Sequence, residues 1–480
     1  MYDKSAHFVA EALQIQDEEQ KALVVKLFDA LLDGNLTLEA SDEKSYQGEI
    51  PFVKQVGDHL FFENYYELVC RFKREVERLK NASVEKVVDL PPQDPALTDE
   101  QQAAVKKATQ SPLLILTGGP GTGKTYTAAK ILESLTKNQE LHLALAAPTG
   151  KAAKNLEESL RKSGLDTKAV TLHRLLSAQL QSREIRALPH DVVLVDEASM
   201  IDVEMMVTLL SSVKSGARLI LLGDPYQLPP VEAGSLFTDL LEMVEGSCTA
   251  KLTRCLRAEF QEIVDLARAI QEKNGDEMVR LLRESDPKRL SWKTFSSRPH
   301  TLVKELTELA IDKWSFLKDL SLNVEEVTRA LKTVALLTPL NRGLFGVDHL
   351  NHLIAEAFPY PLTPVLVTKN DPELQLFNGD VGLRHGKEVF FVSDQTLRTL
   401  PAVLIEGLKP AFCLSIHKSQ GSEYNEILLL LPDGAEHLTN ELLYTGVTRS
   451  KQKITLYSNE ETLLNALSQT TSRHSGWQVV

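Results

Sequence analysis

The sequence predicts an α/β protein: two parallel-sheet domains that handle phosphate, preceded by a small helical domain. Three observations lead there. Residues 113–116, 143–146, 192–195 and 219–222 are short apolar runs, each followed at once by a polar turn, which bears Gly or Pro in all but the third. A glycine-rich stretch, Gly118-Gly119-Pro120-Gly121-Thr122-Gly123-Lys124-Thr125, directly follows the first run and precedes a helical pattern. A second set of runs follows at 334–337, 427–431 and 454–457. Apolar strands alternating with helical segments build a parallel sheet, and such sheets bind ligands at the carboxyl ends of their strands.

The chain has 480 residues, enough for two or three domains. With 43% hydrophobic and 25% charged residues it reads as an ordinary soluble protein. No apolar run approaches the roughly 20 residues that cross a bilayer. The first residues lack a charged-then-apolar signal pattern. Its four cysteines, Cys70, Cys248, Cys255 and Cys413, are too scattered for a disulfide framework, so a reducing, cytoplasmic compartment is expected. Cys413 and His417 lie four apart, but no second pair has ligand spacing, so a metal cluster is not expected. The net charge of −13 argues against a protein that coats nucleic acid. It leaves open a channel enzyme with a narrow basic track, and it favours work inside a larger assembly.

Residues 1–90 form the expected helical, partner-docking domain. Leu23, Leu27, Phe28, Leu31 and Leu32 recur at helical spacing, with Gly34 as a stop, and Tyr65, Leu68, Val69, Phe72, Val76 and Leu79 line one face of a second helix. The plain alternative is a bundle that buries its own stripes. Pro91, Pro92 and Pro95 mark a linker. The first α/β domain is expected over 97–245, with a short insertion near 176–190. The second is expected over 250–480, with a β-rich insertion near 361–410. Asn378-Gly379-Asp380 is a hairpin-turn signal there, and Gly386-Lys387 follows further on.

The glycine-rich stretch has the context of a phosphate loop. Its backbone N–H groups close around phosphates at a helix N-terminus, Lys124 reaches the β- and γ-phosphates, and Thr125 holds Mg²⁺. Asp196-Glu197 ends the 192–195 run, where a nucleotide hydrolase needs paired carboxylates. Asp196 would hold the metal through water, and Glu197 would orient and deprotonate the attacking water. Gln227, in Gly223-Asp224-Pro225-Tyr226-Gln227-Leu228-Pro229-Pro230-Val231, is placed to sense a γ-phosphate. Arg449 suits transition-state charge, being always ionised and able to make bidentate phosphate contacts.

From 97 to 460 the order of these motifs resembles that of superfamily 1 helicases. Leu97-Thr98-Asp99-Glu100-Gln101 is similar to the adenine-recognising motif, with Gln101 the reader. Pro148, Thr149, Gly150 and Lys151 resemble the loop that grips the DNA backbone, and Thr171-Leu172-His173 a second DNA-contacting motif. The stretch 411–423 resembles the motif that bridges DNA and nucleotide. It places His417, Lys418, Ser419, Gln420 and Ser422 on the DNA side and Gly421 and Glu423 on the nucleotide side. Asp196-Glu197-Ala198-Ser199 with Met200-Ile201-Asp202 is similar to the RecD branch of these helicases. So is Leu337-Thr338-Pro339-Leu340 with Gly346-Val347 and Leu350-Asn351. Thr253-Arg254-Cys255-Leu256-Arg257 resembles that branch's fourth motif, which would give Arg257 the γ-phosphate.

The resemblance implies two RecA-like motor domains and an SH3-like insertion near 361–410. The piece near 176–190 stands at the position of a strand-separating pin. The implied activity is ATP- and Mg²⁺-dependent 5′→3′ movement on single-stranded DNA and duplex ends, in double-strand break repair and homologous recombination. RecB- and RecC-like subunits are the implied partners, with any exonuclease activity belonging to the complex. Thr149, Thr171, Ser419 and Ser422 offer hydroxyls to phosphates, and Lys151, Lys154, His173 and Lys418 add charge. Phe377 and Tyr226 are weak candidates for base stacking. A stand-alone helicase of the same branch and a non-catalytic scaffold are the competing readings.

Overall fold

The computed structural model describes residues 15, 17–39, 50–89, 93–180, 186–230, 232–246, 248–255, 261–295, 298–393, 396–435, 438–471 and 473–480. Pro91, Pro92, Val231, Leu256 and Arg257 lie outside them. The chain divides into two compact units. The first takes the residues up to Pro225, then Pro229–Arg254 and the last residues of the chain; the second takes Tyr226–Leu228 and Cys255–Thr471. The boundary expected between 245 and 250 therefore moves. Strand Thr249–Leu252 belongs to the first unit, paired with the phosphate-loop strand at Leu116↔Ala250, and so do the residues after 472.

The first unit is built on a six-stranded parallel sheet. Across the sheet the strands run Ala169–Thr171, Leu143–Ala147, Val192–Val195, Arg218–Gly223, Leu113–Gly118 and Thr249–Leu252. Strands Leu113–Gly118, Val192–Val195 and Arg218–Gly223 are buried at every position. This is why they read as unbroken apolar runs: helices cover both faces, so no alternation is required. Each buried Leu, Ile or Val contributes roughly 1.5–3 kcal/mol. Ala169–Thr171 and Thr249–Leu252 stand at the sheet edges and are only partly buried, so they left little apolar signal.

At the amino ends of these strands, Asp191 ties three segments together. It accepts from Lys86 Nζ (2.8 Å), Lys214 Nζ (3.1 Å) and the His142 backbone N–H (3.0 Å). Burial raises its carboxyl pKa, but the hydrogen bonds from Lys86, His142 and Lys214 outweigh that and hold it well below the usual carboxylate range. Nearby, the fully buried Arg218 donates to the carbonyls of Ala108 (3.1 Å) and Thr109 (3.0 Å), at the end of helix Asp99–Gln110. That is the end of a helix that favours a cation.

The N-terminal region belongs to the first unit. Helix Glu18–Leu32 buries Leu23, Val24 and Leu27, and Gly34 stops it at φ 92°. Helix Glu63–Asn81 buries Val69, Phe72, Val76 and Leu79, four of the six residues expected on its inner face. The reading of residues 1–90 as helical is corrected. Strands Thr37–Glu39, Val53–Val56 and His59–Phe62 form a small antiparallel sheet between the helices, with the last strand in the centre. Runs of three or four residues are too short to show a period. Arg78 of the second helix caps helix Val203–Ser212, donating to the carbonyls of Leu210 (2.8 Å) and Val213 (2.8 Å). The chain's last residues close over this region: Leu36 N–H donates to the His474 carbonyl (2.8 Å), and Lys73 to that of Val480.

The second unit has a five-stranded parallel sheet ordered Leu290–Lys293, Ser450–Tyr457, Tyr424–Leu430, Val334–Thr338 and Cys413–Ser415. Asn351 fastens the edge strand, donating to the Cys413 carbonyl (2.7 Å) and accepting from its N–H (2.9 Å). A separate antiparallel sheet of five strands occupies the expected insertion: Leu362–Val367, Val381–His385, Glu388–Ser393, Thr396–Pro401 and Leu408–Pro410. Its tight hairpin lies at Gly386-Lys387, between partners His385 and Glu388, and Gly379 (φ 97°) serves a longer loop instead. In the 176–190 piece, helix Ser177–Leu180 is present, and the described residues there contain no strand. No helix among the described residues is long and apolar enough to cross a membrane.

Replacing Asp191 by Asn should destabilise the first unit by about 1–3 kcal/mol, a range kept low because both lysines are partly exposed. Because the folded carboxyl titrates below its unfolded value of about 4, its contribution is present above pH 4 and lost as pH falls through the folded value. Denaturant unfolding over pH 2–7 should show this acid limb in the parent and a flatter one in Asp191→Asn.

Candidate functional site

The phosphate loop follows from the register of the central strands. Thr117 pairs with Gly223, and Val195 pairs with Leu221, so strand Arg218–Gly223 lies between the loop's strand and the acidic strand. Gly118, Asp196 and Asp224 thus emerge along one carboxyl edge. Helix Lys124–Thr136 starts there with Gly123 as its cap in the left-handed region (φ 84°), and Gly121 shares that conformation (φ 77°). A Cβ at Gly118 would lie 2.8 Å from the Leu252 carbonyl, so the strand's exit tolerates no side chain. Within the loop Thr122 Oγ1 donates to the Gly119 carbonyl (2.8 Å), and Lys124 Nζ folds over it to the carbonyls of Gly118 (2.5 Å) and Gly119 (3.2 Å).

Asp196 lies beneath this loop. Burial raises its pKa to about 7, and the neighbouring Glu197 charge adds to that. Against it act the Glu197 backbone N–H (2.8 Å), the Lys124 charge and a hydrogen bond with the Thr125 side chain. Glu197 sits at φ 53°, ψ 40°, left-handed and costly for any residue with a side chain. Metal-binding clusters of three or more His, Cys, Asp or Glu are absent among the described residues. A nucleotide-bound Mg²⁺ needs none, since phosphates and water fill most of its shell. One hydroxyl and one carboxylate, Thr125 and Asp196, fit it.

Gln101 is buried and closes a capping box: its Oε1 accepts from Thr98 N–H (3.1 Å), while its own N–H donates to Thr98 Oγ1 (3.3 Å). Its Nε2 donates to the Thr122 carbonyl of the phosphate loop (3.4 Å). On the other side of the sheet, Thr149 and Thr171 cap adjacent helices, accepting from Ala152 N–H (3.1 Å) and Arg174 N–H (3.3 Å). Their strands pair at Ala147↔Thr171, so the two loops are neighbours. An accepting hydroxyl still has its own hydrogen to donate. Pro148, Gly150 and Lys151 are half-buried beside them, and His173 is exposed.

In the second unit Arg449 is 3% exposed. Its guanidinium donates to the carbonyls of Thr445 (3.1 Å) and Ser422 (3.4 Å) and to Thr448 Oγ1 (3.4 Å). Leu228, next to Gln227, donates through its N–H to Thr445 Oγ1 (3.0 Å) and accepts from Gln420 Nε2 (3.1 Å). Glu423 pairs with Lys451 (2.7 Å), and Gly421 turns the chain at φ 69°. His417 and Lys418 are exposed. Ser419 is fully buried and spends its hydroxyl on the Ile416 carbonyl (2.7 Å), and Ser422 is also buried.

An AAA domain model matches residues 96–289, and a UvrD-like helicase C-terminal domain model matches residues 410–457. The RecBCD enzyme subunit RecD of Haemophilus influenzae is 31% identical over 89% of this chain and 80% of that one. The subunit of the same name from Mycolicibacterium smegmatis is 34% identical, over 89% of this chain and 83% of its own. The chain belongs to the RecD family. Among solved structures, Pif1 helicase from Candida albicans aligns over 77% of this chain and 96% of that one, with TM-score 0.44 and 18% identity.

For this RecD-family chain, the structure brings Lys124, Thr125, Asp196, the phosphate-loop glycines and Gln101 together in one place. Arg257 lies outside the described residues. Sequence reading missed Arg218 and Asp191, which hold the strands from their far ends. The lone buried charge inside or beside an apolar run was the available signal. It also missed Glu100, whose carboxylate accepts from the Thr253 and Arg254 N–H groups.

Glu197→Gly and Glu197→Ala should both abolish ATP turnover. The glycine variant should be the more stable by about 1 kcal/mol, because only alanine must hold the left-handed backbone against its Cβ. Denaturant midpoints for the pair check this, and an alanine variant of equal or greater stability would refute the strain.

Proposed function

We propose that this chain is the ATP-driven 5′→3′ DNA helicase subunit of a RecBCD-type complex, working in the cytoplasm on duplex ends in break repair and recombination. The observation that carries the reading is the half-buried Asp196 carboxylate bonded to Thr125 and facing the Lys124 charge, with Glu197 beside it. A phosphate loop that only held nucleotide would not need a second carboxylate in a strained backbone at that edge.

In this reading the loop N–H groups and Lys124 take the β- and γ-phosphates, and Thr125 and Asp196 hold Mg²⁺. Bound there, the ion supplies charge against the phosphate oxygens. Glu197 accepts the proton of the attacking water. Gln101 brackets the loop and reads the adenine. Arg257 and Arg449 provide charge for the transferred phosphoryl group, and Gln227 senses it. Thr149, Lys151, Thr171, His173, His417 and Lys418 are the DNA contacts we favour, with the antiparallel sheet as the SH3-like subdomain. RecB- and RecC-like subunits are the proposed partners of the N-terminal region.

Lys124→Gln should lower ATP hydrolysis at least a hundredfold while leaving the fold intact by circular dichroism; retained turnover would sink the assignment. Strand displacement with ATP and Mg²⁺ on duplexes carrying a 5′ or a 3′ tail tests the direction. Unwinding from the 5′ tail alone is expected, and preference for the 3′ tail would overturn the polarity. DNA-stimulated hydrolysis without unwinding would mean that the motor needs its partners. Unwinding by the isolated chain would favour the stand-alone reading.

A further inference from the structure

Helix Asp99–Gln110 holds strand Thr249–Leu252 at both of its ends. At one end Lys107 Nζ donates to the carbonyls of Gly246 (2.9 Å) and Thr249 (2.6 Å). At the other, the Glu100 carboxylate accepts three hydrogen bonds: from Thr253 N–H (2.8 Å), from Arg254 N–H (3.3 Å) and from the Thr253 hydroxyl. The two ends are not equivalent. Residue 254 is the last of the first unit on this pass of the chain, and at Cys255 the backbone enters the second unit. Glu100 therefore grips the root of the connecting segment. The next residue, Gln101, is the one bonded to the phosphate-loop carbonyl of Thr122 (3.4 Å).

The geometry points to Glu100 as a positioning residue of the nucleotide cycle: its carboxylate links the phosphate loop, through the first turn of this helix, to the segment that leads into the second unit. The inference rests on the helicase reading and adds a route for its coupling. Phosphates entering the loop bear on Thr122, hence on Gln101, and hence on the helix start that carries Glu100. Two N–H donors converging on one carboxylate, with a hydroxyl on its second oxygen, make a directional joint. A neutral amide keeps the geometry and loses the charge: its oxygen can accept from both N–H groups while its NH₂ donates to the Thr253 hydroxyl, so Glu100→Gln removes the charge assistance of the joint.

The test compares Glu100→Gln, Thr253→Val and, as a structural control at the far end of the same strand, Lys107→Gln. Two readouts are taken on the full chain. The first is DNA-stimulated ATP hydrolysis, split into kcat and KM. Glu100→Gln and Thr253→Val should lower kcat about threefold to tenfold, the loss of one or two charge-assisted hydrogen bonds, with KM for ATP within about twofold. Lys107→Gln should lower the melting temperature and leave kcat alone. The second readout is amide hydrogen exchange at Thr253 and Arg254, with and without adenylyl imidodiphosphate and Mg²⁺. Exchange there should change with nucleotide in the parent and cease to respond in Glu100→Gln.

Equal effects of Glu100→Gln and Lys107→Gln on kcat, or a Glu100→Gln variant with parental kcat, would reduce the contact to a strand clamp. Nucleotide binding in the parent, followed by fluorescence titration, with no response of the two amides would refute the coupling alone. Absence of nucleotide binding would sink the helicase reading together with it.

Discussion

The placement of Asp196 is the constraint on which the rest of the nucleotide site depends. A carboxylate taken out of water is costly unless opposite charge and hydrogen bonds meet it. Here the Thr125 side chain, the Glu197 N–H and the Lys124 charge do so only in part, and the group stays raised to about 7. The glycine conformations of the loop, the left-handed Glu197 and the buried strands all keep that carboxylate where a metal–phosphate pair would relieve it. Such strain persists only where the surrounding packing over-determines the backbone, and the largely buried strands on either side provide that packing.

Support for this edge comes from the opposite end of the sheet. Asp191 binds two lysines and a backbone N–H, and Arg218 takes the last carbonyls of helix Asp99–Gln110. Neither residue touches the chemistry. They fix the starts of the strands whose ends carry Asp196 and Asp224, so stability at one end becomes precision at the other. The same helix caps its own start with Thr98 and Gln101 and there reaches the phosphate loop. One helix thus joins the loop, the base of the sheet and the edge strand from which the chain leaves the unit.

The second unit repeats the parallel architecture with a different use of its edges. Asn351 closes both hydrogen-bonding groups of Cys413, which keeps a three-residue edge strand in register. Arg449 is buried among carbonyls and a hydroxyl, an arrangement that fixes the guanidinium without neutralising it. Leu228, held by Thr445 and Gln420, anchors the loop that carries Gln227 to this unit, even though the strand before it belongs to the first.

The seven long strands, the phosphate loop, the paired carboxylates and the family membership were legible in the sequence, because each is written in contiguous residues. Parallel strands buried on both faces must be apolar throughout, and a loop that closes on phosphate must have glycines at fixed places. Several features were not legible. The N-terminal hairpin sheet was hidden because its strands are too short to show alternation. The hairpin at Gly386-Lys387 lost to the stronger dipeptide signal at Asn378-Gly379. The burial of Ser419 and Ser422 depends on which way one short turn faces. Local chemistry and periodicity are properties of neighbours in sequence, so the sequence alone determined the motor's parts and the type of site. Which strand lies between the phosphate loop and Asp196, and where Arg218, Asp191 and Glu100 find their partners, are contacts between residues far apart in the chain. Only the tertiary structure decided those, because hydrogen bonds and burial are satisfied in space whatever the separation along the backbone.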